Sequence, residues 1–144
     1  MRLIPDYLWG VITVWHEAQG EPYEGKVAVA EVILRRTKRK YLSDGTVAGT
    51  CLWPIQFSGW NAHDASPKYR ERIEGAKLDS SDPVVNDCVR AWEEAARGSN
   101  FAPDCLHYLN PKLCDPTWAR GARVVAEIGN HRFVVIKEAP CLNG

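Results

Sequence analysis

Two carboxylates four residues apart, Glu17 and Glu21, lie in His16-Glu17-Ala18-Gln19-Gly20-Glu21-Pro22, where one helical pattern stops and another begins. A carboxyl group partly withdrawn from water at such a junction suits general-acid work, because burial favours its protonated form. Further along, Gln56 and Ser58 alternate with Trp53, Phe57 and Trp60. Aromatic faces beside amide and hydroxyl groups suit a sugar, whose rings offer apolar C–H faces and a rim of hydroxyls. An aromatic core closed by a turn accounts for the same composition. A second polar-aromatic stretch holds Cys105, His107, Tyr108, Asn110 and Cys114. Zinc on Cys105, His107 and Cys114 would lack the paired close spacings of structural zinc sites, so no metal is expected. A crosslink from Cys105 to Cys114, or from Cys51 to Cys141, would need an oxidising compartment.

These groups must be positioned by the elements around them. Residues 5–15 read as an amphipathic helix, with Pro5 at its first turn and Leu8, Val11, Ile12 and Trp15 at i, i+3, i+4 and i+7. Gly20 and Pro22 break the pattern, and Val27 to Leu34 are then apolar almost all round, as in a helix at the centre of a domain. Glu17 is thereby placed where a surface helix meets a core helix. The cations Arg35, Arg36, Lys38, Arg39 and Lys40 read as the core helix leaving for solvent, where they offset its dipole. Ser43-Asp44-Gly45 is a turn signal followed by β-prone pieces at 46–47 and 51–53, a small hairpin or lobe. Charged residues 67–78 form a surface helix. Residues 83–97 form another, opened by Ser81-Asp82-Pro83 and closed by Gly98, with Val84, Cys88, Ala91, Trp92 and Ala95 inward and Cys88 a buried thiol. Residues 101–116 are expected as a loop, 117–127 as a last helix, and 128–136 as a strand entered through Gly129-Asn130. The sum is a single α+β domain over 1–144, mainly helical.

Composition narrows the partners. The 144 residues carry 18 basic and 18 acidic side chains, so no net charge argues for nucleic acid. No apolar run reaches membrane-spanning length, and the N-terminus lacks a charged leader followed by an apolar stretch. The expectation is therefore a protein made in the cytoplasm without a signal peptide and not inserted in a membrane. Five cysteines, an odd count, leave at least one unpaired in a monomer.

Residues 16–34, Gln56-Phe57-Ser58, 107–111, Pro116-Thr117-Trp118-Ala119 and 128–133 together resemble the SleB-type cell-wall hydrolases, which include spore cortex-lytic enzymes and phage endolysins. The resemblance spans nearly the whole chain. It implies a lysozyme-like fold with a small β-lobe and cleavage of the MurNAc–GlcNAc β-1,4 bond of peptidoglycan glycan strands. It makes Glu17 the catalytic acid and implies no cofactor. Glu21, Gln56, Ser58, Tyr108 and Asn110 are expected to bind substrate, with Phe57 buried beneath as support. The chain departs from the family pattern at His16 for Gly, Gln19 for Arg and Arg35 for Asn.

The family favours lytic transglycosylation, leaving 1,6-anhydro-MurNAc ends. A hydrolytic muramidase would instead need a second carboxylate, for which Asp44, Glu21 and Glu24 are the local candidates. A non-catalytic glycan-binding module and a zinc-stabilised interaction domain are the readings from other classes. The setting implied is a monomeric endolysin reaching the wall through a holin-type pore.

Overall fold

Helix α2 (Tyr23–Arg39) is the element on which the others pack. The computed structural model describes residues 4–54, 56–60 and 78–136. Val27, Ala28, Val29, Ala30, Val32 and Ile33 of α2 are fully buried, as their all-round apolar pattern requires. Helix α1 (Asp6–Ala18) precedes it, and the carbonyl of Pro22 accepts from Gly25 and Lys26 to start α2. Helix α4 (Pro83–Ala96) is capped by Asp82, whose carboxylate accepts from the Val84 and Val85 amides. Its buried stripe is Val85, Cys88, Ala91, Trp92 and Ala95, so Val85 rather than Val84 opens it. Gly10 lets α1 approach α4 closely, since a Cβ there would lie 2.4 Å from the Trp92 ring.

The β-prone pieces at 46–47 and 51–53 form no strand, and a short helix, α3 (Val47–Cys51), runs between them instead. Thr46 caps it by accepting from the Gly49 amide, and Asp44 in turn accepts from Thr46. Local side-chain capping has overridden β-propensity here. A 3-10 turn, Ser58–Trp60, follows.

Three strands, β1 (His107–Leu109), β2 (Arg123–Ile128) and β3 (His131–Val135), make an antiparallel sheet in the order β1-β3-β2. Strand β1 lies within the stretch expected to be a loop. The expected last helix is a 3-10 turn at Thr117–Ala119 followed by β2. Gly121 at φ +77 stops helical propagation, and pairing with β3 decides the rest. Gly129-Asn130 is the turn between β2 and β3. The expected helix over 67–78 lies, but for Leu78, outside the described residues.

The end of α2 also differs from expectation. Arg36 is only 5% exposed, and Arg35 and Arg36 turn inward rather than to solvent. Buried Glu31 accepts from the Phe101 and Ala102 amides at 2.8 Å each. Arg35 donates to the carbonyls of Ala102 and Cys105, and Arg36 Nε to that of Leu106 at 2.7 Å. These charged bonds lay residues 99–106 along α2 and so fix where β1 begins. Cys51, Cys88 and Cys105 are buried free thiols and Cys114 is an exposed one, so the 105–114 crosslink is not formed. Burial pushes the Cys105 thiol up to about 11 and Cys51 to about 12, which makes both poor thiolates. Cys141 lies outside the described residues.

Candidate active site

Glu17 sits in the last turn of α1, its side chain 16% exposed. The Tyr108 hydroxyl, from the middle of β1, donates to Glu17 Oε1. His16 Nδ1 stands 3.4 Å from the other oxygen, Oε2. The Tyr108 ring packs at 5.0 Å from His131 and 5.5 Å from Phe133, its cross-strand partner. A helix end and a strand separated by 91 residues thus meet at one carboxyl group.

Arg36 forms the floor beside this pair. Burial lowers its pKa, while the facing Tyr108, Tyr41 and Glu17 raise it. Its guanidinium lies 5.4 Å over the ring of Phe57, which is buried as expected, and Nη1 donates to Gln56 Oε1 at 3.1 Å. The turn that carries Gln56 is pinned next to Glu17 at two further points. A Cβ on Gly59 would lie 2.6 Å from the His16 ring, and Trp60 Nε1 donates to Thr13 one turn before Glu17. Ser58 is exposed on the same turn.

Glu21 is placed differently. Its Oε1 accepts from the Asn130 amide at 2.7 Å and its Oε2 from Asn130 Nδ2 at 3.0 Å. Burial works to raise the Glu21 carboxyl, but the Asn130 bonds, with His131 and Lys26 nearby, outweigh it and hold it below the usual value. Gly129 is required in this turn: its φ is +59, and a Cβ would lie 2.4 Å from Glu21 Oε1. Glu21 therefore clamps the β2–β3 turn to the start of α2. His131, behind Tyr108, has its pKa lowered by burial against the opposing pull of Glu21 and Glu17. The Asn110 side chain accepts from the Lys112 amide at 3.0 Å and shapes the turn after β1. Of the candidates for a second carboxylate, Asp44 is engaged by Thr46, Glu21 by Asn130, and Glu24 is exposed in the first turn of α2.

Tyr41 and His107 extend the site's polar flank. Their hydroxyl and Nε2 are 2.7 Å apart, and His107 also packs 5.1 Å from Trp118. A hollow of about 330 Å³ lies on the opposite face of the sheet, along Leu109, Val124 and Val134, and its lining holds none of the residues expected from the sequence to act on substrate. Sequence reasoning missed Arg36, Tyr41 and His131. Arg36 was hidden in a run of cations, and its one sequence signal was helical spacing, three, four and seven residues after Ile33, Val32 and Val29 on the apolar face.

The helices packed on α2 with a small antiparallel sheet at one side make a mainly helical α+β domain of lysozyme-like fold. The chain belongs to the cell wall hydrolase family, whose model matches residues 20–134. Glu17 stands just ahead of that span. The chain is 32% identical over 120 residues to the spore cortex-lytic enzyme of Bacillus subtilis, covering 83% of this chain and 34% of that protein. It is 32% identical over 124 residues to that of Oceanobacillus iheyensis, covering 83% and 38%. The chain thus spans little more than a third of these curated relatives. Among solved structures, it is similar to the catalytic domain of the germination-specific lytic transglycosylase SleB from Bacillus anthracis, with TM-score 0.69, 26% identity, and 90% and 93% of the two chains covered. The catalytic domain of Bacillus cereus SleB gives TM-score 0.71 and 26% identity over 90% and 88%.

Proposed function

We propose that this chain cleaves the MurNAc–GlcNAc β-1,4 bond of peptidoglycan as a lytic transglycosylase, with Glu17 as its single acid and base. The observation that carries the reading is the Tyr108–Glu17 hydrogen bond at the junction of α1 and the sheet. Because Tyr108 donates to Oε1, that oxygen is held as an acceptor and Oε2 carries the transferable proton. Protonation of the glycosidic oxygen from Oε2 breaks its bond to C1 of MurNAc and leaves Glu17 as a carboxylate. The buried Arg36 cation stabilises that carboxylate while it exists. The carboxylate then takes the proton of the MurNAc C6 hydroxyl as O6 closes on C1, which gives the 1,6-anhydro end and restores the acid.

The commitment of Asp44 and Glu21 to other donors supports transglycosylation over a hydrolytic route through a second carboxylate. The likeness to a catalytic domain named for lytic transglycosylation supports it as well. Gln56, Ser58, Tyr108 and Asn110 line or frame the sugar cleft in this reading, with Glu21 positioning rather than contacting substrate. Action as a monomer, and delivery to the wall as an endolysin, belong to the same proposal and rest on the sequence resemblance. Mass spectrometry of muropeptides released from purified sacculi tests it. Wild type is expected to yield anhydro ends, and Glu17→Gln to fold but lose at least about a hundredfold in turnover. Reducing MurNAc ends would make the enzyme a hydrolase, and a fully active Glu17→Gln would remove Glu17 from the chemistry.

A further inference from the structure

The amide of Gln56 has a direction that its neighbour dictates. An arginine guanidinium only donates hydrogen bonds, so the Gln56 atom 3.1 Å from Arg36 Nη1 must be the oxygen. Arg36 cannot swing away to accommodate the reverse orientation. It is buried, its Nε is bound to the Leu106 carbonyl at 2.7 Å, and its face lies over Phe57. The Gln56 amide nitrogen therefore points away from Arg36, and among the described residues it has no hydrogen-bond partner. Gln56 is half-buried, and its turn is pinned beside Glu17 by the contact of Gly59 with His16 and by the Trp60–Thr13 bond.

We infer that Gln56 is a specificity-determining residue that reads the acetamido carbonyl of the glycan through its NH2 group, with Arg36 as the positioning residue that fixes the amide. This inference rests on the proposed peptidoglycan-cleaving activity. A group that presents two donors and no acceptor favours a substrate atom that only accepts. Sugar hydroxyls both donate and accept, whereas the acetamido C=O accepts alone and is the strongest neutral acceptor on the glycan. Trp53, whose carbonyl accepts from the Gln56 backbone amide, is 37% exposed and offers an apolar surface on the same turn for the acetamido methyl. The prediction is selectivity for N-acetylated over N-deacetylated strands, set at one side chain. In this recognition Arg36 acts through the amide it orients.

The test compares kcat/KM on two forms of one sacculus preparation, N-deacetylated and then chemically re-acetylated, for wild type, Gln56→Glu and Gln56→Ala. Wild type is expected to prefer the acetylated form by roughly tenfold or more. Gln56→Glu keeps an acceptor for Arg36 and should melt no lower than wild type. It removes the donors and sets a carboxylate toward the cationic glucosamine of the deacetylated form, so the preference should vanish or invert. Gln56→Ala should also bring the ratio close to one. A folded Gln56→Glu or Gln56→Ala that keeps the wild-type ratio overturns the inference, as does a Gln56→Glu that fails to fold. Wild type that cleaves both forms equally overturns it too, while leaving the proposed activity standing. Wild type that cleaves neither form defeats the activity itself.

Discussion

A tyrosine hydroxyl that donates to one carboxyl oxygen both holds the carboxyl rotamer and decides which oxygen is free to carry a proton. Tyr108→Phe removes that donor while the ring keeps its packing on His131 and Phe133. The loss should fall on kcat, by about 1 to 3 kcal/mol or roughly ten- to a hundredfold, with KM and melting temperature little changed. Clearing of purified sacculi followed alongside thermal unfolding checks this, and an unfolded Tyr108→Phe would make the hydroxyl structural. Residue by residue, legibility followed local chemistry. The placement of Glu17 at the end of α1 could be read because Gly20 and Pro22 break the helical pattern just after it, and the burial of Phe57 because it is the aromatic at the middle of a polar turn. Arg36 could not be read: its partners, the Leu106 carbonyl and Gln56, are 70 and 20 residues away, and a cation near a helix end has an ordinary solvent explanation.

At the level of elements, the clamp between Glu21 and Asn130 joins the α1–α2 junction to the β2–β3 turn and so carries Tyr108 toward Glu17 through β3 and β1. Glu21→Gln leaves one acceptor for two donors and turns an amide toward an N–H group. It should cost about 1 to 2 kcal/mol in stability, yet lower turnover less than tenfold, far less than Glu17→Gln. Hydrogen exchange at residues 128–131 should quicken with it. A stable Glu21→Gln protein with no turnover would instead place Glu21 in contact with substrate. The helices were legible because each buries a stripe or a whole circumference of apolar residues at helical spacing. Three segments were not, one of them β1, which at three residues is too short to show a period. Residues 46–51 owe their helix to the Thr46 cap rather than to their own propensity, and 117–128 owe their strand to pairing with β3. Neither pairing nor capping competition is visible in hydrophobic period alone.

For the molecule as a whole, the half-buried histidines His107 and His131 set an acid limit on stability. Burial, with Arg36 close by, pulls His107 down to about 4 from an ordinary 6.5. The unfolded chain therefore binds this proton near pH 6.5 and the folded chain only near 4. Between those values the unfolded state holds more protons, so stability is full above about 6.5 and declines as pH falls toward 4. His131, lowered by burial, contributes in the same sense, and Glu21, held below its usual value, loses its stabilising part only at still lower pH. Equal numbers of basic and acidic side chains, 18 each, mean that no net self-repulsion imposes a competing slope near neutrality. A tenfold difference in proton affinity between folded and unfolded chain corresponds to about 1.4 kcal/mol, and because His107 is half-buried rather than sealed the expected loss between pH 7 and 5 is about 1 to 2 kcal/mol. The melting temperature should hold steady above pH 7 and fall by several degrees at pH 5. His107→Gln cannot take up a proton in either state, so its melting temperature should fall less over the same range. A wild-type profile flat from pH 7 to 5, or a His107→Gln profile as steep as wild type, would show that His107 does not set the limit.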